Sequence, residues 1–391
     1  MGTASTMACL TAALGMIPLK GASAPAVSSA RLRIAEETGK NAVNAALEKR
    51  TPQSFLSRES FLNAITVLQA IGGSTNGIVH LLAMINRHPE LHGSVTLAEI
   101  DEIGRKTPML VDLKPSGNNY MTDFDNAGGM LALLHTLRPL LHLEAKTITG
   151  QTLGQVLDAG SFRTFEYSTQ IIRPLEDPIY PSSSLVVLRG NLAADGAVLK
   201  ASASKDRSLL SHCGPAVVFE NTADLALRID SLDLEVTASS ILVLKNVGPI
   251  GNPGMPEAGM IPIPRKLASQ GVTDMLRISD GRMSGTAGGT IVLHISPEAA
   301  HVGSAMGAVR NGDMIKCDID TRSLVLDVSD EEIKRRWAAM EKPQSETGVK
   351  ADGKMGPRRV RATRGYRKLY EQSVNQAHEG ADFGFLTAMG V

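Results

Sequence analysis

Three glycine-rich stretches hold the side chains of this sequence best placed to do chemistry. The first, NVGPIGNPGMPEAGMIPIP at 246–264, alternates Gly and Pro. That fixes an irregular backbone with exposed N–H groups, a nest for a carboxylate or a phosphate. It presents one acid, Glu257. A carboxylate held among prolines suits a hard cation such as magnesium. A tight loop with a solvated glutamate fits the same spacing. The second, SDGRMSGTAGGT at 279–290, carries the hydroxyls of Ser284 and Thr286 on glycines that let a substrate approach closely, with Asp280 and Arg282 beside them to orient charge. A serine there can act as a base if a cationic centre lowers its pKa. Without an adjacent His-Asp pair, the loop alone reads more simply as a Ser-Gly turn. No GxGxxG opens a helix, so dinucleotide logic does not apply. The third, IGGSTNGIVHLLAMI at 71–85, breaks a helical pattern at Gly72 and Gly73. Ser74, Thr75 or Asn76 can cap the helix that follows, with His80 on the face of Asn76. On so apolar a helix a histidine is more often a packed core residue than a ligand.

The elements that must position these stretches change character along the chain. TASTMACLTAALG reads as a small-residue helix capped at Thr3 or Ser5 and stopped by Gly15 and Pro18. Residues 28–48 carry apolar positions at helical spacing, and Phe61, Ile65 and Leu68 repeat at three and four. From about residue 184, short β-branched runs separated by glycine follow one another: SLVVLRG, GAVLKA, PAVVFE, SILVLKN, DMLRIS, GTIVLHIS, MIKCDID and SLVLDVS. They are strand signals at barrel-like spacing. The proline-rich RPLEDPIYPSS is the natural linker, which puts a domain boundary near 178, between regions 1–177 and 178–391. A helix capped by Ser329 follows the last strand, with Glu331 and Glu332 in its first turn. Residues 343–368 are polar and increasingly basic, a surface excursion rather than a nucleic-acid patch.

Composition narrows the partners. Lys plus Arg and Asp plus Glu number 40 each, so no net field draws the chain to nucleic acid or an anionic membrane. A small-molecule partner fits better. At 391 residues there is room for two or three domains, and 43% apolar with only 4% aromatic residues describes a globular chain packed through small side chains. Cys9, Cys213 and Cys317 are too dispersed for a disulfide framework or a CxxC metal pair, which points to a reducing, cytoplasmic setting. No apolar run is long enough to span a membrane.

Seven blocks, in order, carry a resemblance. They are TASTMA at 3–8, GGSTNxxxHLLA at 72–83, GNLAADGAVLKASA at 190–203, GPAVVFE at 214–220, GNPGMPE at 251–257, SDGRMSGTAGGTIVLHISPEAA at 279–300 and QAHEGADFGFL at 376–386. Together they resemble the family of dihydroxy-acid, phosphogluconate and pentonate dehydratases. The resemblance implies an α/β domain followed by a swivelling β-barrel-like domain, and assembly as a homodimer or homotetramer. It implies a hydro-lyase that removes water from a 2,3-dihydroxy sugar acid to give a 2-keto-3-deoxy acid. A [2Fe-2S] cluster would act on the leaving hydroxyl, Mg2+ would bind the carboxylate, and a serine alkoxide would take the C2 proton. By the same blocks, Ser284 falls on the base, Thr286 on its substrate-binding neighbour and Glu257 on a magnesium ligand. RMSGTA is similar to the pentonate (arabinonate or xylonate) branch more than to the dihydroxy-acid dehydratase of branched-chain amino-acid synthesis, which stays as the alternative. A catalytically incomplete paralogue acting as a binding or oligomer partner is the other. The family block Cys-x-x-Met-x-Thr-Ala-x-Thr-Met is met here only from Met1 onward. The expectation is therefore an incomplete N-terminal α/β domain, lacking the cluster cysteines, and a natural N-terminus that leaves a mitochondrial location open.

Overall fold

A computed structural model describes residues 1–162, 165, 167–340 and 362–387. Most of the basic excursion expected at 343–368 lies outside the described residues. The chain divides into two compact units, residues 1–185 and 186–387.

The first unit is helical. Its helices are α1 (Thr3–Ala13), α2 (Ser29–Leu47), α3 (Pro52–Phe55), α4 (Arg58–Ala70), α5 (Asn76–Arg87), α6 (Leu97–Lys106), α7 (Met121–Asn126), α8 (Gly129–Thr136), α9 (Leu153–Ala159) and α10 (Ser168–Ile171). Among the described residues its extended pairing is confined to isolated bridges such as Met109 with Tyr180 and Val111 with Ile172. The α/β reading of this part thus meets helices and bridges, without a ladder. The unit is built round α4, which is buried on every side from Ser60 to Ala70. A helix buried all round must satisfy its polar side chains internally. Asn63 does so by exchanging two hydrogen bonds with the backbone of His142, at 3.0 and 2.8 Å, and the Gln69 carbonyl accepts from the N–H of Leu185 at 3.0 Å. The expected cap at Thr3 or Ser5 moves one residue out: Gly2 is the N-cap of α1, and its N–H donates to Ser5 Oγ at 2.9 Å.

The second unit is a closed barrel of β1 (Val186–Gly190), β2 (Ala193–Leu199), β3 (Ser211–Phe219), β4 (Ile241–Leu244), β5 (Arg277–Ser279), β6 (Ile291–Ser296), β7 (Met314–Asp318) and β8 (Ser323–Leu326). All eight runs read as strands from the sequence are strands. Their order round the barrel is β1-β2-β6-β5-β4-β3-β7-β8. Side chains alternate across the wall. Val186, Leu188, Leu199, Ala216, Val218, Ile241, Val243, Ile278, Val292, Ile315 and Leu324 fill one buried cluster. Val217, Phe219, Leu242 and Leu244 point the other way into a second, covered by Leu225 and Leu267 of α11 (Thr222–Arg228) and α12 (Arg265–Ala268). Three short helical pieces complete the unit: α13 (Ala305–Ala308), α14 (Asp330–Met340) and α15 (Gly365–Ser373). Ser329 caps α14 as expected, its Oγ accepting from the N–H of Glu332 at 3.3 Å.

The barrel closes on a narrow seam. β1 and β8 share one paired position, Arg189 with Ser323. The side chain of Asn191 extends it, donating to Leu326 O and accepting from Leu326 N–H, both at 2.8 Å. A side-chain amide there does the work of one more peptide unit.

Candidate active site

Strand direction brings two of the glycine-rich stretches together. β3, β4, β5 and β6 run parallel to one another. The segment 245–264 leaves the carboxyl end of β4 and the segment 280–290 leaves the carboxyl end of β5, so both start on one rim. Carboxyl ends of parallel strands are where ligand-binding loops gather. The N–H of Gly259 donates to Arg282 O at 2.8 Å, and the Arg282 guanidinium donates to Met255 O. Those bonds bracket Glu257, which is exposed between them.

Two buried carboxylates hold the rim. Asp280, expected to orient charge beside Ser284, instead faces inward, fully buried, and accepts from the N–H groups of Asn246, Val247 and Ala299 at 3.1, 3.0 and 2.9 Å. Glu298, just past β6 and also fully buried, accepts from Ile250 and Gly251 at 2.8 and 2.7 Å and from the Gln376 amide at 2.9 Å. Burial pushes both carboxyls above the ordinary range, outweighing these donors, and for Glu298 the neighbouring Asp280 charge adds to it. Gly248 makes the fit possible. A Cβ there would lie 2.8 Å from Glu298 Oε2 and 3.1 Å from Asp280 O. On the outer side, Tyr370 of α15 accepts the Gly254 N–H at 2.7 Å, with its ring edge-on to Phe383.

From the rim the 280–290 segment crosses the outer wall of the barrel. Met283 and Ala287 pack on Ile291 and Leu293 of β6 and anchor it on both sides of Ser284. Ser284 is half-buried and Thr286 exposed. Ser284 Oγ lies 2.9 Å from Thr286 Oγ1 and 3.4 Å from the Thr286 N–H. At the far end the segment is fastened by Asp274, which accepts from Thr290 N–H and Oγ1 and pairs with Arg277 at 2.7 Å in a buried ion pair.

The third glycine-rich stretch belongs to the first unit and packs on the opening helix. The N–H of Ser74 donates to Thr6 Oγ1 at 3.0 Å, and the Asn76 amide donates to Thr3 Oγ1 at 2.8 Å. A Cβ at Gly73 would meet Thr6 Cγ2 at 2.9 Å. Thr75 is the N-cap of α5 without a side-chain cap bond, and Ser74, one residue before it, accepts the Asn76 N–H on its Oγ at 3.2 Å. His80 is half-buried on α5 among buried Ile78, Val79, Leu81 and Leu82.

The donor set for metals is thin. Among the described residues no three His, Cys, Asp or Glu side chains gather as a metal site. Cys9 and Cys317 are buried, and burial pushes each thiol up to about 12, while Cys213 is exposed. Thiolates are the cluster ligands, so these cysteines do not fit a [2Fe-2S] group. For magnesium, Glu257 is a single ligand, short of a site.

The sequence matches the N-terminal region of the dihydroxy-acid/6-phosphogluconate dehydratases over residues 1–156 and their C-terminal region over 170–381. It is 45% identical over 383 residues to the L-arabonate dehydratase of Azospirillum brasilense, covering 97% of this chain and 62% of that protein. Identity to the 6-deoxy-6-sulfo-D-gluconate dehydratase of Pseudomonas putida is 42% over 392 residues, 99% of this chain and 63% of that one. Dihydroxy-acid dehydratase 1 of Methanosarcina acetivorans is 37% identical over 381 residues, 97% of this chain and 64% of that one. The chain therefore spans less than two-thirds of the length of these relatives. Matched along nearly all of its own length, it belongs to the dihydroxy-acid/6-phosphogluconate dehydratase family.

Proposed function

We propose that this chain carries the base-bearing part of a dehydratase that removes water from a 2,3-dihydroxy sugar acid. The observation behind this is the hydroxyl pair on an anchored segment. Ser284 Oγ lies 2.9 Å from Thr286 Oγ1 and accepts the Thr286 N–H at 3.4 Å, so that with the Thr286 hydroxyl turned to donate, two donors would favour an anionic oxygen there. Ser284, as the alkoxide, takes the proton from C2, the C–H electron pair forms the C2–C3 double bond as the C3–O bond breaks, and the departing hydroxide takes a proton from solvent to leave as water. The enol so formed tautomerises to the 2-keto-3-deoxy acid. Thr286 holds the alkoxide and a substrate hydroxyl, and Glu257 would supply one ligand to a magnesium ion whose further ligands are not gathered among the described residues. The iron-sulfur chemistry of the family needs thiolates that Cys9, Cys213 and Cys317 do not provide, and no step here is drawn through it.

A sugar acid is favoured over a branched dihydroxy acid because the sugar-acid dehydratases are 42–45% identical to this chain and the dihydroxy-acid dehydratases 36–37%. The test is the tagged protein isolated from its own cells, with whatever it assembles with. It is given L-arabonate, 6-deoxy-6-sulfo-D-gluconate or 2,3-dihydroxyisovalerate, and 2-keto acid is measured. We expect keto acid from a sugar acid, and a fall of roughly 10²–10⁴-fold in kcat for Ser284→Ala, the range for loss of a general base. Keto acid from the branched substrate alone moves the reading to the alternative. None from any substrate overturns it.

A further inference from the structure

The loop that bears Glu257 is held in two halves. Asp280 and Glu298 fix its first half, residues 246–251, from beneath. Its second half passes through two left-handed residues in a row, Gly254 at φ 85° and Met255 at φ 42°, just before Pro256 and Glu257. Glycine adopts that backbone freely and methionine does not. A strained residue persists only where its surroundings over-determine it. Met255 is buried, its N–H donates to Asn252 O at 2.8 Å, and the Arg282 guanidinium donates to its carbonyl. The residue before it is held from outside, by Tyr370, whose hydroxyl accepts the Gly254 N–H at 2.7 Å.

Tyr370 is itself fixed. α15 exposes Tyr366 and Leu369, while Tyr370 turns in, half-buried, with its ring edge-on to Phe383 at 5.4 Å. Burial raises the phenol's pKa, the Glu298 charge adding to this and the Gly254 N–H and Arg282 opposing it, so the hydroxyl is neutral at physiological pH. The chain after α15 fastens this position to the barrel. Val374 bridges to Phe383, the N–H of Asn375 donates to Asp382 O at 2.8 Å, and the Gln376 amide exchanges two bonds with Glu298, both at 2.9 Å. One C-terminal segment thus reaches both halves of the loop.

We propose that Tyr370 is a positioning residue for Glu257. Its hydroxyl, together with Arg282, holds Gly254 and Met255 left-handed and so fixes where the acid two residues on is presented. Without that hydroxyl Met255 relaxes, and Glu257 loses its fixed place at the rim. The role given to Glu257 rests on the dehydratase reading; the brace itself does not.

The test uses Tyr370→Phe, which keeps the ring on Phe383 and removes only the hydroxyl. In the full chain carrying Cys213→Ser and Glu257→Cys, a nitroxide is attached at position 257, Cys9 and Cys317 being buried. Electron paramagnetic resonance should show a restrained label there, and a mobile one once Tyr370→Phe is added. A nitroxide on native Cys213 of β3 should not respond to Tyr370→Phe. An unchanged spectrum at 257 overturns the brace, as does freeing of both labels, which marks a general loosening. Kinetics then test the role, on protein isolated as for the dehydratase assay. Tyr370→Phe should lower kcat/KM for L-arabonate roughly threefold to tenfold, the worth of one hydrogen bond, and add nothing to the loss in Glu257→Gln. Additive losses would place its effect elsewhere and overturn the positioning role. A label freed at 257 in a protein that dehydrates none of the acids keeps the brace and removes the dehydratase reading.

Discussion

Glu298 does nothing to a substrate in the proposed reaction, yet with Asp280 it decides where the Glu257 loop lies. Their burial has a consequence in solution. A carboxyl whose folded pKa is raised holds its proton in the native state at a pH where the unfolded chain has released it, so stability falls as pH rises through that window. For Asp280 and Glu298 the window runs from the ordinary carboxylate range toward neutrality. Glu332, held down at about 2 by Arg335 and Arg336, titrates below it and adds no slope there. The melting temperature should therefore rise on acidification from pH 7.5 to 5.5 in scanning calorimetry, and the rise should shrink in Glu298→Gln. A flat profile would count against buried, protonatable carboxyls. The sequence drew attention to Asp280 for another role and did not single out Glu298. Most of their partners are backbone N–H groups of a Gly-Pro loop, and a peptide N–H has no residue type to read. The roles proposed for Ser284, Thr286 and Glu257 rest on the blocks around them, since the residues alone left each role open.

At the scale of elements the sequence was more open. The eight strands announce themselves because β-branched runs bounded by glycine have few other uses, and Ser329 marks α14 because an N-cap hydroxyl is a local device. Strand order was not legible, since nothing local in GTIVLHIS says that β6 lies between β2 and β5. That order is what sends the Ser284 segment over the outer wall and puts Glu298 under the neighbouring loop. Gly248 is the tightest point of this arrangement. Gly248→Ala must push a backbone segment off Glu298 and Asp280, at a cost of roughly 1–3 kcal/mol, typical of overpacking. Denaturant melts of the two proteins measure it. A change below a few tenths of a kcal/mol would show that the loop yields freely.

Across the whole molecule the three cysteines report on packing in both units. Cys9 lies in the first, Cys317 in the barrel, and both are buried with thiols raised to about 12, whereas Cys213 is exposed. The thiolate is the reactive form. Under native conditions a thiol-disulfide reagent should modify Cys213 at once, and the other two only as their own units open. Peptide mapping against denaturant would resolve the two units separately. Early modification of Cys9 or Cys317 would place it at the surface instead.

The seam between β1 and β8 joins the first strand of the barrel to the last, through Arg189 with Ser323 and the Asn191 amide with Leu326. During synthesis β1 emerges early, and its free edge must wait for nearly the whole barrel to be translated before β8 can cover it. An unpaired strand edge is what neighbouring nascent chains aggregate through. A stall or a premature stop before codon 323 would therefore release a nearly complete barrel that cannot close, and quality control in the cell would meet this protein first as a sticky open sheet.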